Sequence, residues 1–155
     1  MDWTMIMLGI LMGLNALWFA AAFRYFSTQP DSAAKVLVPR HARDTPLFRT
    51  ISASIRFLGG MNLALAGLAL LILFNSSLFP DPRQNALFAF VFALAHGSQF
   101  YFNVPVARGG GRQGDALWPV LSGPMLFIFV VDGALMALNT VACLYFTAQF
   151  AWPGQ

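Results

Sequence analysis

Residues 51–74 read ISASIRFLGGMNLALAGLALLILF, a run whose one charge is Arg56. At about 1.5 Å per residue, a helix of this length crosses the roughly 30 Å hydrocarbon core of a bilayer. The run lacks the alternation of a barrel strand, so a membrane-spanning helix is the reading. Three more stretches of the same kind flank it, at residues 3–23, 86–102 and 123–150. The first is broken only by Thr4 and Asn15, and the last holds Asp132. Ser122 and Pro124 suit the start of the fourth helix, a cap followed by proline in the first turn.

Composition agrees with these four runs. Of 155 residues, 58% are hydrophobic and 10% charged. Soluble domains average about 45–50% apolar and about 25% charged. So few charges cannot cover a soluble globule, and four spans leave no room for a separate soluble domain. The expected fold is all-α: a polytopic bundle of four transmembrane helices in a single domain, 1–155. A net charge of +3 is too small to suggest a nucleic-acid binder. The lone Cys143 excludes an internal disulfide and a multi-cysteine metal site. Nucleophile elbows, Walker loops and HExxH motifs are absent. Ala20-Ala21-Ala22 resembles a cleavage site, but Asp2 stands where a signal peptide carries positive charge. A retained first helix is therefore expected.

The bases set an orientation. Arg24, Lys35, Arg40, Arg43, Arg49 and Arg56 belong to loop 24–50 and its helix ends, and Arg108 and Arg112 to loop 103–122. Only Arg83 falls on the other side. The positive-inside rule places both basic loops in the cytoplasm and both termini outside. Trp3 and Trp152 then sit at the outer interface, and Tyr25, Tyr101 and Trp118 at the inner one. Arg in preference to Lys and abundant Ala suit a GC-rich bacterial genome, hence a bacterial inner membrane.

In loop 24–50, Pro30 to Pro39 encloses a short helix expected to rest on lipid headgroups. Arg40, His41 and Arg43 follow it, with Arg108 and Arg112 in the other basic loop. These five are expected to contact anionic lipid or a cytoplasmic partner. Arg108-Gly109-Gly110-Gly111-Arg112 lacks the Gly-Lys-Ser/Thr ending of a phosphate-binding P-loop and reads as a hinge. Small residues recur at helical spacing: Gly9, Gly13, Ala16 and Ala20 in the first span, and Gly60, Ala64 and Gly67, beside Gly59, in the second. Such seams let helix backbones approach in lipid. Packing of the first two helices is the expected use, with dimerisation the alternative. The Phe-rich run from Phe88 to Phe102 reads as lipid contact and core.

A charge at mid-span costs about 2.5–3.5 kcal/mol on insertion scales. Arg56 and Asp132 are the charges carried there, beside the titratable His96. At about 1.5 Å per residue, Arg56 and His96 lie roughly 8–10 Å from the inner end and Asp132 roughly 13 Å. Asn15, Asn62 and Gln99 fall in the same half. His96, Gln99 and Asn103 share one helix face, and Asp132 and Asn139 another. Pairing is far cheaper than isolated burial, so Asp132 is expected to pair with Arg56 or His96. Arg56 can instead snorkel to the headgroups. The polar layer of Asn15, Arg56, Asn62, His96, Gln99 and Asp132 is read as a structural clasp, with a ligand pocket as the alternative. No cofactor is expected. A b-type haem on His96, with Met61, Met125 or Met136 opposite, is the less favoured reading.

Arg49-x6-Arg56-x2-Gly59-Gly60, together with Ala95-His96, resembles the ergosterol-biosynthesis scaffold family and bacterial relatives among small four-helix membrane proteins. That resemblance implies a non-catalytic scaffold holding membrane enzymes together. Where the family has an acidic residue shortly after its histidine, Gln99 stands here. From the residues themselves three functions remain open: an accessory or scaffold subunit, a binder or transporter of a lipophilic molecule, and an enzyme using His96 and Asp132 in acid–base chemistry.

Overall fold

The computed structural model describes residues 3–109 and 118–151. Five α-helices follow in chain order: α1 (Trp3–Phe23), α2 (Pro30–Leu37), α3 (Pro46–Phe74), α4 (Pro82–Arg108) and α5 (Gly123–Ala151). A π-helical turn, Arg24–Thr28, prolongs α1. Among the described residues there is no strand. Four helices, α1 with its π-turn, α3, α4 and α5, are long and apolar enough to cross a membrane. Leu17, Phe57, Phe74 and Phe102 are among many large apolar side chains left exposed on them. Such a surface suits lipid and not water, which supports a multi-pass membrane protein.

Two helices run beyond the apolar bands that mark them in the sequence. Helix α3 begins at Pro46 and not near Ile51, and α4 runs from Pro82 to Arg108 instead of 86–102. Hydropathy marks the width of the membrane, whereas capping chemistry marks the helix. Pro46 and Pro82 each stand in a first turn, where the missing N–H costs nothing. The Asp81 carboxylate accepts from the Arg83 amide and caps α4. Helix α5 starts at Gly123, whose φ of +55° lies in the left-handed region that glycine tolerates.

The helices pack as two antiparallel pairs, α1 with α3 and α4 with α5, joined by contacts between α1 and α5. Buried apolar side chains from all four form one cluster, including Leu8, Met12, Phe19, Ala69, Ile72, Phe92 and Phe146. Helix α2 folds back on α3, burying Ala33 and Ala34 beside Ile55. The Ser52 hydroxyl donates to Asp31 and fixes that return. The α2 helix thus has a protein face as well as any headgroup contact.

The small-residue seams serve the packing of α1 on α3 only in part: Gly9 lies against Leu73 and Ala16 is buried in the core. A Cβ added at Gly13, Gly60 or Gly67 would meet nothing within 4 Å, and Ala64 is exposed. The close approach is at Gly59, where a Cβ would stand 2.9 Å from the Ser27 backbone nitrogen. Gly133 makes the matching approach in the other pair, 2.9 Å from the Phe100 ring. In α3 the face that packs carries Gly59, Asn62, Ala66 and Ala69, one position off the expected seam.

Candidate functional site

At mid-length, α1, α4 and α5 each turn polar side chains into the core. Asn15, His96 and Asn139 are fully buried and Asp132 is 1% exposed. Asn15 and Asn139 face each other as reciprocal amides, each Nδ2 lying 3.1 Å from the other's Oδ1. Each Nδ2 also donates to the carbonyl one turn back in its own helix, Leu11 or Leu135. Those carbonyls only accept, which fixes which way both amides point.

The orientation of Asn15 fixes one hydrogen of the His96 ring. Asn15 Oδ1 lies 2.9 Å from His96 Nε2 and can only accept, so Nε2 carries a hydrogen. On the other side of the ring, Nδ1 lies 2.9 Å from Asp132 Oδ1. That contact holds one proton, on the nitrogen as an imidazolium–carboxylate pair or on the oxygen as a neutral pair. In both forms the dyad has no net charge, which lowers the cost of burial in lipid. The Trp18 indole N–H also donates to Asp132 Oδ1, at 3.0 Å. Phe19 stacks on the imidazole with ring centroids 4.6 Å apart, closing that side. Asp132 Oδ2 has no partner among the described residues.

The expected polar layer is therefore divided. Asn15, His96 and Asp132 come together, and Asp132 takes His96 in preference to Arg56. Arg56 is exposed and makes no ion pair among the described residues. An exposed guanidinium keeps its hydration, whereas its burial would require a partner. Asn62 is buried on α3 but donates to Leu58 of its own helix. Gln99 lies one turn from His96, half-buried, outside the cluster. Trp18 and Asn139 complete it. Asn139 shared a face with Asp132 in the sequence, whereas Trp18 reads there only as one more apolar aromatic.

Both imidazole nitrogens, the atoms through which His96 would ligate a haem iron, are engaged here by Asn15 and Asp132. Among the described residues no three His, Cys, Asp or Glu side chains gather to hold a metal. In the loop after α1, Arg40 and His41 are exposed. Arg43 instead folds inward, donating to the Lys35 and Val38 carbonyls. Arg108 ends α4, exposed, and Arg112 lies outside the described residues.

One turn from the cluster, towards the basic loops, an apolar space opens between the two helix pairs. Two adjoining cavities, of about 260 and about 200 Å³, share Tyr25, Phe26, Gln99 and Ile128 in their walls. Trp18 belongs to both regions: its indole nitrogen bonds Asp132 and its ring lines the smaller cavity. Comparison with known proteins finds no matching family model, no similar curated protein and no similar solved structure.

Proposed function

We propose that this chain is a non-enzymatic accessory or scaffold subunit of a bacterial inner membrane, a four-span bundle with both termini on the non-cytoplasmic side. The observation that carries this reading is the burial of the polar cluster, whose groups bond one another and leave Asp132 Oδ2 alone among them without a partner in the described residues. Both nitrogens of His96 and one oxygen of Asp132 are engaged within the helices, and neither side chain is open to a substrate. An acid or base in catalysis must reach the proton it moves. With Asn15 and Trp18 the pair instead ties α1, α4 and α5 in one register, the best-attested use of buried polar groups. The residues that gather charge at the surface, Arg40, His41, Arg49 and Arg56, lie at the basic end, where anionic headgroups or a partner's acidic loop meets them. The resemblance to the scaffold family points the same way.

Native mass spectrometry of the full chain, released from its own membranes in gentle detergent, tests the reading. The expected result is a stoichiometric complex with another membrane protein, weakened when Arg40 and Arg49 are replaced by Glu. An isolated monomer in every detergent overturns it. Orientation is tested with Cys143→Ser and Gly110→Cys in one chain. The new thiol should react with an impermeant maleimide only after the cells are opened, and labelling of intact cells inverts the topology.

A further inference from the structure

The space below the polar cluster has the chemistry of a ligand site. Its two adjoining cavities are walled by apolar and aromatic side chains from α1, α2, α3, α4, α5 and the π-helical turn. No Asp, Lys, Arg or His side chain lines either one. Most polar groups in the walls are already committed. Tyr25 donates to the Ser32 carbonyl, and Ser98 to the Ala95 carbonyl. Asn103 donates to the Gln99 carbonyl and accepts from the Trp118 indole. Trp18 donates to Asp132. The exception is Gln99, a residue of both cavity walls, whose side-chain amide has no hydrogen-bond partner among the described residues. An apolar pocket with one uncommitted polar group orients a ligand by its polar end.

We infer that this space binds a neutral lipophile carrying a single hydroxyl or carbonyl head, with the head on Gln99 and the tail along Phe26 and Ile128. A charged head is disfavoured because no wall residue would neutralise it. A neutral bilayer lipid and a free lipophilic metabolite share this chemistry. The site stands independently of the accessory role: it can bind whether or not a partner subunit exists.

The test uses the full chain with Trp3→Phe and Trp152→Phe, leaving Trp18 and Trp118 as reporters at the cavity wall. The probe is 11-bromoundecan-1-ol, whose bromine quenches indole fluorescence on contact, with 1-bromoundecane as the headless control. Saturable quenching by the alcohol at one probe per chain is expected. Gln99→Leu should weaken the alcohol about three- to tenfold, the worth of one hydrogen bond, and leave the headless control unchanged. Ala22→Phe, which fills the smaller cavity, should abolish saturable quenching while the thermal midpoint holds. Quenching that merely follows detergent partition, or that ignores either substitution, overturns the inference. Lipid extraction of the native protein separates the sources. A neutral lipid at one per chain, displaced by the alcohol, assigns the site to the bilayer. Protein that purifies empty and then binds the probe assigns it to a free lipophile. A retained anionic phospholipid that the alcohol cannot displace overturns the neutral-head assignment.

Discussion

The two regions stacked along α1, α4 and α5 share those helices and have opposite chemistry. In the upper one, Asn15, His96, Asp132 and Asn139 bond one another with no access to the surface. In the lower one, apolar walls line a half-open space, and the Gln99 amide has no partner among the described residues. The difference teaches what each is for. Polar groups in lipid are stable where they bond each other, and this set, with Asp132 Oδ2 alone unpartnered among the described residues, links three helices. An open apolar space with one spare amide ties no helices by hydrogen bonds, and the proposed guest is placed there for that reason.

The strongest way to break the comparison is His96→Leu. It leaves the Asp132 carboxylate buried with one indole donor and Asn15 short of another, and should cost about 3–5 kcal/mol, read as a loss of thermal stability in detergent. The double variant His96→Leu with Asp132→Leu should lose less than the two single changes together. Strict additivity would mean that the dyad is no clasp. Next is Asn139→Leu, which removes one half of the reciprocal amides. Interhelical hydrogen bonds in membranes are worth about 0.6 kcal/mol, and at most about 1.7, so a fall in that range is expected from the same melt. Trp18→Phe sharpens the boundary between the regions. It keeps the cavity wall and deletes one bond to Asp132, and should cost about 1 kcal/mol while bromo-alcohol binding persists, reported by Trp118. The smallest effect belongs to Arg56→Gln. Exposed and outside both regions, it should change stability by less than about 0.5 kcal/mol. A loss above 2 kcal/mol would show that Arg56 serves the buried cluster after all.

Much of this molecule was readable before folding was considered. Asp132 and His96 stood out as a rare acid and an imidazole at mid-span, and their pairing was one of two options that burial cost allows. The choice between His96 and Arg56 was not readable, because depth along a helix says nothing of rotation about it. Helix rotation also explains the seams. Gly60, Ala64 and Gly67 have the right spacing, but α3 turns its neighbouring face, with Gly59 and Ala66, towards α1 and the π-turn. Trp18 was hidden for another reason: an indole has one polar atom in a large apolar body, so hydropathy counts it as lipid-facing.

The sequence by itself determined four membrane-length helices, a basic side, and a shortage of charge that makes every buried polar residue answerable. Those are properties of composition and of spacing along one dimension, and they survive any arrangement of the helices. The tertiary structure alone decided that His96 and not Arg56 meets Asp132, that two asparagines join the cluster, and that Gln99 stands in the wall of an apolar cavity. The physical reason is that hydrogen bonds and cavities depend on angles and distances between helices remote in the chain. Asn15 and Asn139 are 124 residues apart and 3.1 Å from bonding atom to bonding atom.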